Sequence, residues 1–229
     1  MKHLVKIMLV LLLAFLALPA WAENENKQSG GDYVLQKTKF EVTYGNPAAP
    51  VVLTEYSSFT CPHCKNFHTQ IIDQIMASYI DTGMVYYVFR YFPLNTQALK
   101  ASMLVQCLPD IAQKRLFVTA LFKTQSEWAF EETEQQFMKN IQAVAKANNI
   151  DTSHFADCAA NDNLADQLLK ARAQASSKAH IRSTPTVFIN KERYVDNRQL
   201  KPFIAALDKV LLEDGYAVKT RMEESKEQK

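Results

Sequence analysis

The apolar positions of this chain change rhythm several times, and each change marks an element. Residues 7–18 are an uninterrupted apolar run behind the basic Lys2, His3 and Lys6. A bilayer span needs about 20 such residues. The run is therefore read as the core of an export signal, cut after Ala22 in the small-residue site Pro19-Ala20-Trp21-Ala22; the alternative is an uncleaved anchor. Residues 23–31 are polar and are expected to form a loose leader. Residues 33–44 alternate weakly and offer an edge strand, and Asn46-Pro47 is a turn. Residues 51–56 read as a buried strand. From Pro62 the spacing becomes helical: Phe67, Ile71, Ile72, Ile75, Met76, Tyr79 and Ile80 recur at three and four and share one face. Pro62 suits the first helical turn, where its missing N–H costs little, and Gly83 suits the stop.

Residues 84–92 are β-branched and aromatic, a second buried strand ended by Pro93. The aromatic pairs Tyr86-Tyr87 and Tyr91-Phe92 read as packing residues. A long helical block follows. Residues 98–107, 110–123, 131–148 and 161–178 each carry helical spacing, with no strand expected between about 96 and 178. Strand character returns at 186–189, directly after Thr184-Pro185, with a turn at Asn190-Lys191 and a short strand at 193–195. Leu200, Phe203, Ile204, Leu207, Val210 and Leu211 stripe a last helix, and residues 213–229 form a charged tail.

The order is strand, helix, strand, helical block, strand, strand, helix. It predicts an α/β chain: a thioredoxin-like fold with an inserted all-helical domain at about 96–178. Residues 1–22 form the signal and 23–229 the folded part. In open α/β folds, sites lie beyond the carboxyl ends of the strands. The first strand-to-helix junction is therefore the place to look for chemistry.

Charge narrows the partners. The 26 Lys and Arg face 24 Asp and Glu. Lys2 and Lys6 belong to the signal, so the rest is formally neutral. Nothing suggests a nucleic-acid footprint or a polybasic membrane surface. The four cysteines, Cys61, Cys64, Cys107 and Cys158, all follow the signal, and an exported chain with an even count can hold disulfides.

The first strand-to-helix junction carries Cys61-Pro62-His63-Cys64. Two cysteines spaced this way at a helix start suggest a redox dithiol. The partial positive charge and unpaired N–H groups of the helix N-terminus favour a thiolate at Cys61. A stabilised thiolate leaves easily and makes the corresponding disulfide oxidising. Cys64, one turn further in, is the internal partner. His63 can favour the thiolate as a cation or N–H donor, or it is simply an exposed helix-start residue. Cys61, Cys64 and His68 are ligand types for zinc, but no second close ligand pair accompanies them and no metal is expected. Lys65, not histidine, follows Cys64, which excludes haem attachment. His68, His154 and His180 are expected at the surface. Phe59 is expected on an apolar rim. Cys107 and Cys158 sit on separate helical segments and read as a structural disulfide, with free buried thiols or a pair that tunes the site as the alternatives.

The segments 55–64 (Glu-Tyr-Ser-Ser-Phe-Thr-Cys-Pro-His-Cys) and 183–190 (Ser-Thr-Pro-Thr-Val-Phe-Ile-Asn), with the helical block between them, closely resemble DsbA-like thiol:disulfide interchange proteins. The likeness runs in order and spacing from about Val51 to Leu211. It implies that Pro185 is a cis-proline packed against the active-site pair, although an X-Pro bond by itself reads as trans. It places the Thr184 backbone beside Cys61, where an extended client segment can pair. It implies a buried acid at Glu55, a proton acceptor for Cys64, where sequence alone gives an ordinary strand-end carboxylate. The implied activity is oxidation of newly exported proteins in the periplasm by a monomer. Reoxidation would come from a membrane quinone-linked partner of the DsbB type, and no cofactor is needed. Disulfide isomerase or reductase activity on the same fold is the alternative, since Thr184 before the proline is shared with isomerase-type relatives. A non-catalytic thiol- or metal-binding chaperone is the third reading.

Overall fold

The structure, a computed structural model, describes residues 30–196 and 198–217. The export signal, its cleavage site, most of the leader and the end of the charged tail lie outside the described residues. A short helix α1 (Gly30–Leu35) leads into β1 (Glu41–Tyr44). The weak alternation of residues 33–44 thus splits into a helix and an edge strand. β2 (Val51–Ser57) and β3 (Val85–Tyr91) are the two central strands.

Among the described residues the sheet has the order β1-β3-β2-β4-β5, where β4 is Thr186–Ile189 and β5 is Glu192–Tyr194. β2 and β3 run parallel, with Leu53 opposite Tyr87 and Glu55 opposite Phe89. β1 is antiparallel to β3, β4 antiparallel to β2, and β5 antiparallel to β4. Both faces of β2 are buried, so its sequence is a nearly continuous apolar run. Period-two alternation assigns the faces. Val51 and Leu53 join the larger core with Val187, Ile189, Phe89 and the helical residues. Tyr56 and Phe188 join a smaller cluster with Tyr33, Val34, Ala175, Ala179 and Ile181. Glu55 and Ser57 share the face of Leu53, so β2 aims two polar side chains into the larger core.

The helix after β2 is not uniform. α2 (Pro62–Phe67) passes into a π-helical segment (His68–Ile72), a short α3 (Asp73–Ile75) and a second π-helical segment (Met76–Ile80). Single-turn π segments inside helices are frequent at functional sites. Gly83, at φ +79°, ends the run. Between β3 and β4 lie α4 (Thr96–Cys107), α5 (Ile111–Lys123), α6 (Gln125–Trp128), α7 (Glu134–Ala147), α8 (Phe155–Ala159) and α9 (Asp162–Lys178). α6 and α8 are too short for a period to show. The four longer helices begin on side-chain caps: Asn95, Asp110, Thr133 and Asn161 each accept from the backbone N–H three residues on, worth about 1 kcal/mol apiece. The cap at Thr133 explains why α7 starts later than the spacing around 131 suggests. α10 (Leu200–Glu213) closes the fold, with Phe203, Leu207 and Leu211 fully buried. Asp208 on α10 accepts from the Tyr79 hydroxyl at 2.7 Å, joining the last helix to the second π-helical segment. No helix among the described residues is long and apolar enough to cross a membrane.

Candidate active site

β2 delivers the chain to a tight turn, where the Cys61 N–H donates to the Ser58 carbonyl at 3.1 Å. Cys61 is the N-cap of α2 and Pro62 its first helical residue. The Cys61 carbonyl accepts from the N–H groups of Cys64 and Lys65 at 3.0 and 3.1 Å. The helical block holds this turn from outside. Thr60 Oγ1 lies 3.2 Å from Asn95 Oδ1, the oxygen that also caps α4. The buried Gln125 of α6 donates through Nε2 to the carbonyls of Phe59 (2.7 Å) and Cys61 (3.0 Å). Gln125 gave no sequence signal, because a lone glutamine between helices reads as surface.

Both motif cysteines are free thiols in this structure. Their environments are opposite. Cys64 is wholly buried, and burial pushes its thiol well above the ordinary range. Cys61 is 7 % exposed, and its ionisation is lowered from 9.0 to about 5. The largest cause is the hydrogen bond from Cys64, followed by the Thr184 hydroxyl and the backbone N–H groups of Cys64 and His63, all working against burial. Charge-assisted hydrogen bonds to the anion favour it over the thiol. While Cys61 is a thiol, its Sγ donates to the Thr184 carbonyl at 3.4 Å, and Thr184 Oγ1 is buried without a partner. That idle hydroxyl becomes a donor when the sulfur ionises. The Thr184–Pro185 bond is cis. His63 acts on the sulfur through its backbone N–H, while its imidazole is exposed.

Glu55 lies beneath the pair, fully buried. Its Oε2 accepts from the Tyr87 hydroxyl at 2.5 Å and is 3.0 Å from His68 Nε2, while Oε1 has no partner. The negative charge of Glu55 adds to the upward push on Cys64. The surface expectation for His68 is corrected: it is 5 % exposed, stacked on Phe122 at 4.0 Å and edge-on to Phe89. The signal was present, because His68, Ile72, Ile75 and Tyr79 continue the face that Cys64 begins. Tyr87 is a packing residue as expected, but its hydroxyl is part of the site. His154 and His180 are exposed. No metal-holding cluster of histidine, cysteine and carboxylates occurs among the described residues.

The rim expectation for Phe59 is also corrected: it is 1 % exposed, packed against Phe89, Tyr91 and Phe122. Exposed apolar groups near the turn are instead Leu94, whose N–H reaches Ser58 Oγ, and Phe130, beyond α6. A cleft of about 130 Å³ runs beside Pro185 toward β5. Arg198 borders it and donates to the Pro185 carbonyl at 2.7 Å. Cys107 and Cys158 are bridged, joining the end of α4 to α8. That bridge is about 18 Å along α4 from the Asn95 cap.

The arrangement can do one kind of chemistry well: nucleophilic exchange at a slightly exposed sulfur backed by a wholly buried second sulfur. Comparison with known proteins agrees with the geometry. The thioredoxin family model matches residues 37–209. A Rickettsia bellii protein named "Putative protein-disulfide oxidoreductase" is 28 % identical over 173 residues, covering 76 % of this chain and 65 % of that one. Its Rickettsia felis counterpart is 26 % identical over 182 residues, covering 80 % and 64 %. The chain thus spans slightly less than two thirds of the length of these curated relatives. The crystal structure of Wolbachia pipientis alpha-DsbA1 is 28 % identical with a TM-score of 0.70, covering 81 % of this chain and 97 % of that one. BdbD of Bacillus subtilis, 22 % identical with a TM-score of 0.66 over 77 % of this chain and 95 % of that one, shares the fold.

Proposed function

This chain belongs to the thioredoxin family and is DsbA-like, and from that premise we propose that it is an exported thiol:disulfide oxidoreductase working as an oxidase. A client thiolate attacks Cys61 Sγ of the Cys61–Cys64 disulfide. The Cys61–Cys64 bond breaks, a client–Cys61 bond forms, and Cys64 leaves as a thiolate and takes a proton. A second client thiolate then attacks the client sulfur of the mixed disulfide, and Cys61 leaves as a thiolate. Two electrons pass from the client dithiol to the pair, and a membrane quinone-linked partner of the DsbB type removes them.

The observation that carries this reading is the placement of Cys61 at the N-cap of α2 beside Cys64 and Thr184, which lowers its ionisation to about 5. A sulfur that prefers to be an anion leaves readily, and its disulfide is the less stable partner of the couple. The other residues support it. Pro62 starts the helix without a competing donor, and His63 lends its N–H. Thr184 lends a hydroxyl to the anion and a carbonyl beside it, where the backbone of an extended client can pair. Pro185 shapes the adjoining cleft, and Glu55 is the proton acceptor for the buried Cys64. The Cys107–Cys158 bridge, at the far end of α4, is structural. Exported clients, periplasmic location and action as a monomer belong to the same proposal.

Equilibration with glutathione tests it. The Cys61–Cys64 disulfide is expected to be reduced by glutathione more readily than a structural disulfide, and Cys61→Ser to abolish oxidation of a reduced unfolded client. A pair that glutathione reduces no more readily than a structural disulfide overturns the oxidase direction, and reduced protein that only shuffles client bonds through the Cys61 thiolate points to an isomerase. Normal turnover by Cys61→Ser overturns the assignment.

A further inference from the structure

The site contains two buried groups that the exchange steps above do not use. His68 Nε2 and the Tyr87 hydroxyl are 3.1 Å apart, and both meet the same oxygen, Oε2 of Glu55. The other oxygen, Oε1, is buried and unpartnered. A carboxylate with one oxygen doubly engaged and one left idle cannot turn freely. A buried acceptor left idle is costly to the fold. His68 is one helical turn beyond Cys64 on the same face and touches Glu55 directly, so Glu55 sits under the Cys64–His68 ridge. Ser57, on the same face of β2, also has an idle buried hydroxyl and favours the Cys64 anion. The aromatic box of Phe122, Phe89 and Tyr87 fixes the plane of the imidazole.

We propose that His68, with Tyr87, is a positioning residue: it holds Oε2 of Glu55 so that Oε1 stays free to take the Cys64 proton. The inference rests on the thiol-exchange reading. In the step concerned, Cys61 is bonded to another sulfur. The Cys64 proton passes to Glu55, the Cys64 thiolate attacks Cys61 Sγ, the Cys61–Cys64 bond forms, and the other sulfur departs as a thiolate. Nε2 must carry a hydrogen here, because a bare nitrogen facing Oε2 would set two lone pairs against each other. The titratable groups facing the cluster are Cys61 and Cys64 at the start of the same helix, Tyr87 on β3 and Tyr44 on β1, whose ring lies 5.1 Å from that of Tyr87. Arg115 of α5 covers Tyr44, and Asp73 acts on it electrostatically.

Oxidised glutathione is the probe. It reacts with reduced protein in two steps: Cys61 attacks and releases one glutathione, then Cys64 expels the second. In His68→Leu the second step is expected to slow by about tenfold, below the full effect of a general base, with the first step unchanged. His68→Gln keeps an N–H toward Oε2 and is expected to recover most of the second-step rate. Tyr87→Phe is expected to slow only the second step. If His68→Leu does not fold, the other two variants decide. Native second-step rates in every folded variant overturn the proposal, as does equal slowing of both steps, which marks a merely structural role. A wild-type protein without any Cys64-dependent step overturns the exchange reading itself.

Discussion

Lowering the pH should remove more stability from the reduced protein than from the oxidised one. The folded Cys61 ionises at about 5 against an ordinary 9.0. Between those values the unfolded reduced chain binds more protons than the folded one, so reduced-state stability rises with pH. The gain is complete above the unfolded value and is lost as pH falls through the folded value. From pH 5 to pH 7 the difference grows by about 2 kcal/mol. For a two-electron couple that is about 40 mV toward oxidising. Cys64 adds nothing in this window, because its raised ionisation leaves it a thiol in both states. The oxidised protein has neither titrating sulfur and shares every other group, so it is an internal control. Urea unfolding of both forms from pH 5 to pH 8 gives the difference directly. The reduced form should gain on the oxidised form by about 2 kcal/mol from pH 5 to pH 7. A difference that does not change with pH refutes the reasoning.

Replacing Cys107 and Cys158 together by Ser should cost about 4 kcal/mol by loop-closure entropy across the 51-residue separation, read by urea unfolding, while client oxidation persists; complete loss of activity at native stability would place that pair in the chemistry. Gln125→Leu leaves the Phe59 carbonyl without its donor and should cost about 1–3 kcal/mol; unchanged stability would show that α6 does not hold the turn. Tyr79→Phe strips the buried Asp208 of its 2.7 Å donor and should destabilise by about 1–3 kcal/mol, measured the same way, and a neutral result would remove this link between the last helix and the second π-helical segment.

The central strands were legible as short apolar, β-branched runs, and the longer helices because each has a clear period. β4 falls at residues 186–189 as its β-branched run indicates, and β2 and β3 match their apolar stretches to within one residue. The export signal gives no such comparison, since it lies outside the described residues. What the sequence hid was of two kinds. α1, α6 and α8 are too short for periodicity, and the π-helical segments keep the three-and-four spacing of an ordinary helix. The second kind is polar chemistry inside the core. Glu55 stood at a strand end, and its burial came only from family resemblance. His68 looked like a surface histidine because residue type outweighed its position on the apolar face. Gln125 carries two carbonyl contacts set by the docking of the helical block, a tertiary fact without a local signature. The dithiol itself was legible because its chemistry is local: two sulfurs, a proline and a helix start.

The most direct measurement is the titration of Cys61 in the reduced protein, followed by thiolate ultraviolet absorbance. A midpoint near 5, with Cys64 still protonated at neutral pH, is the result this account requires. A midpoint at the ordinary 9.0 would contradict it, because Cys61 would then be neither a ready leaving group nor part of an oxidising pair.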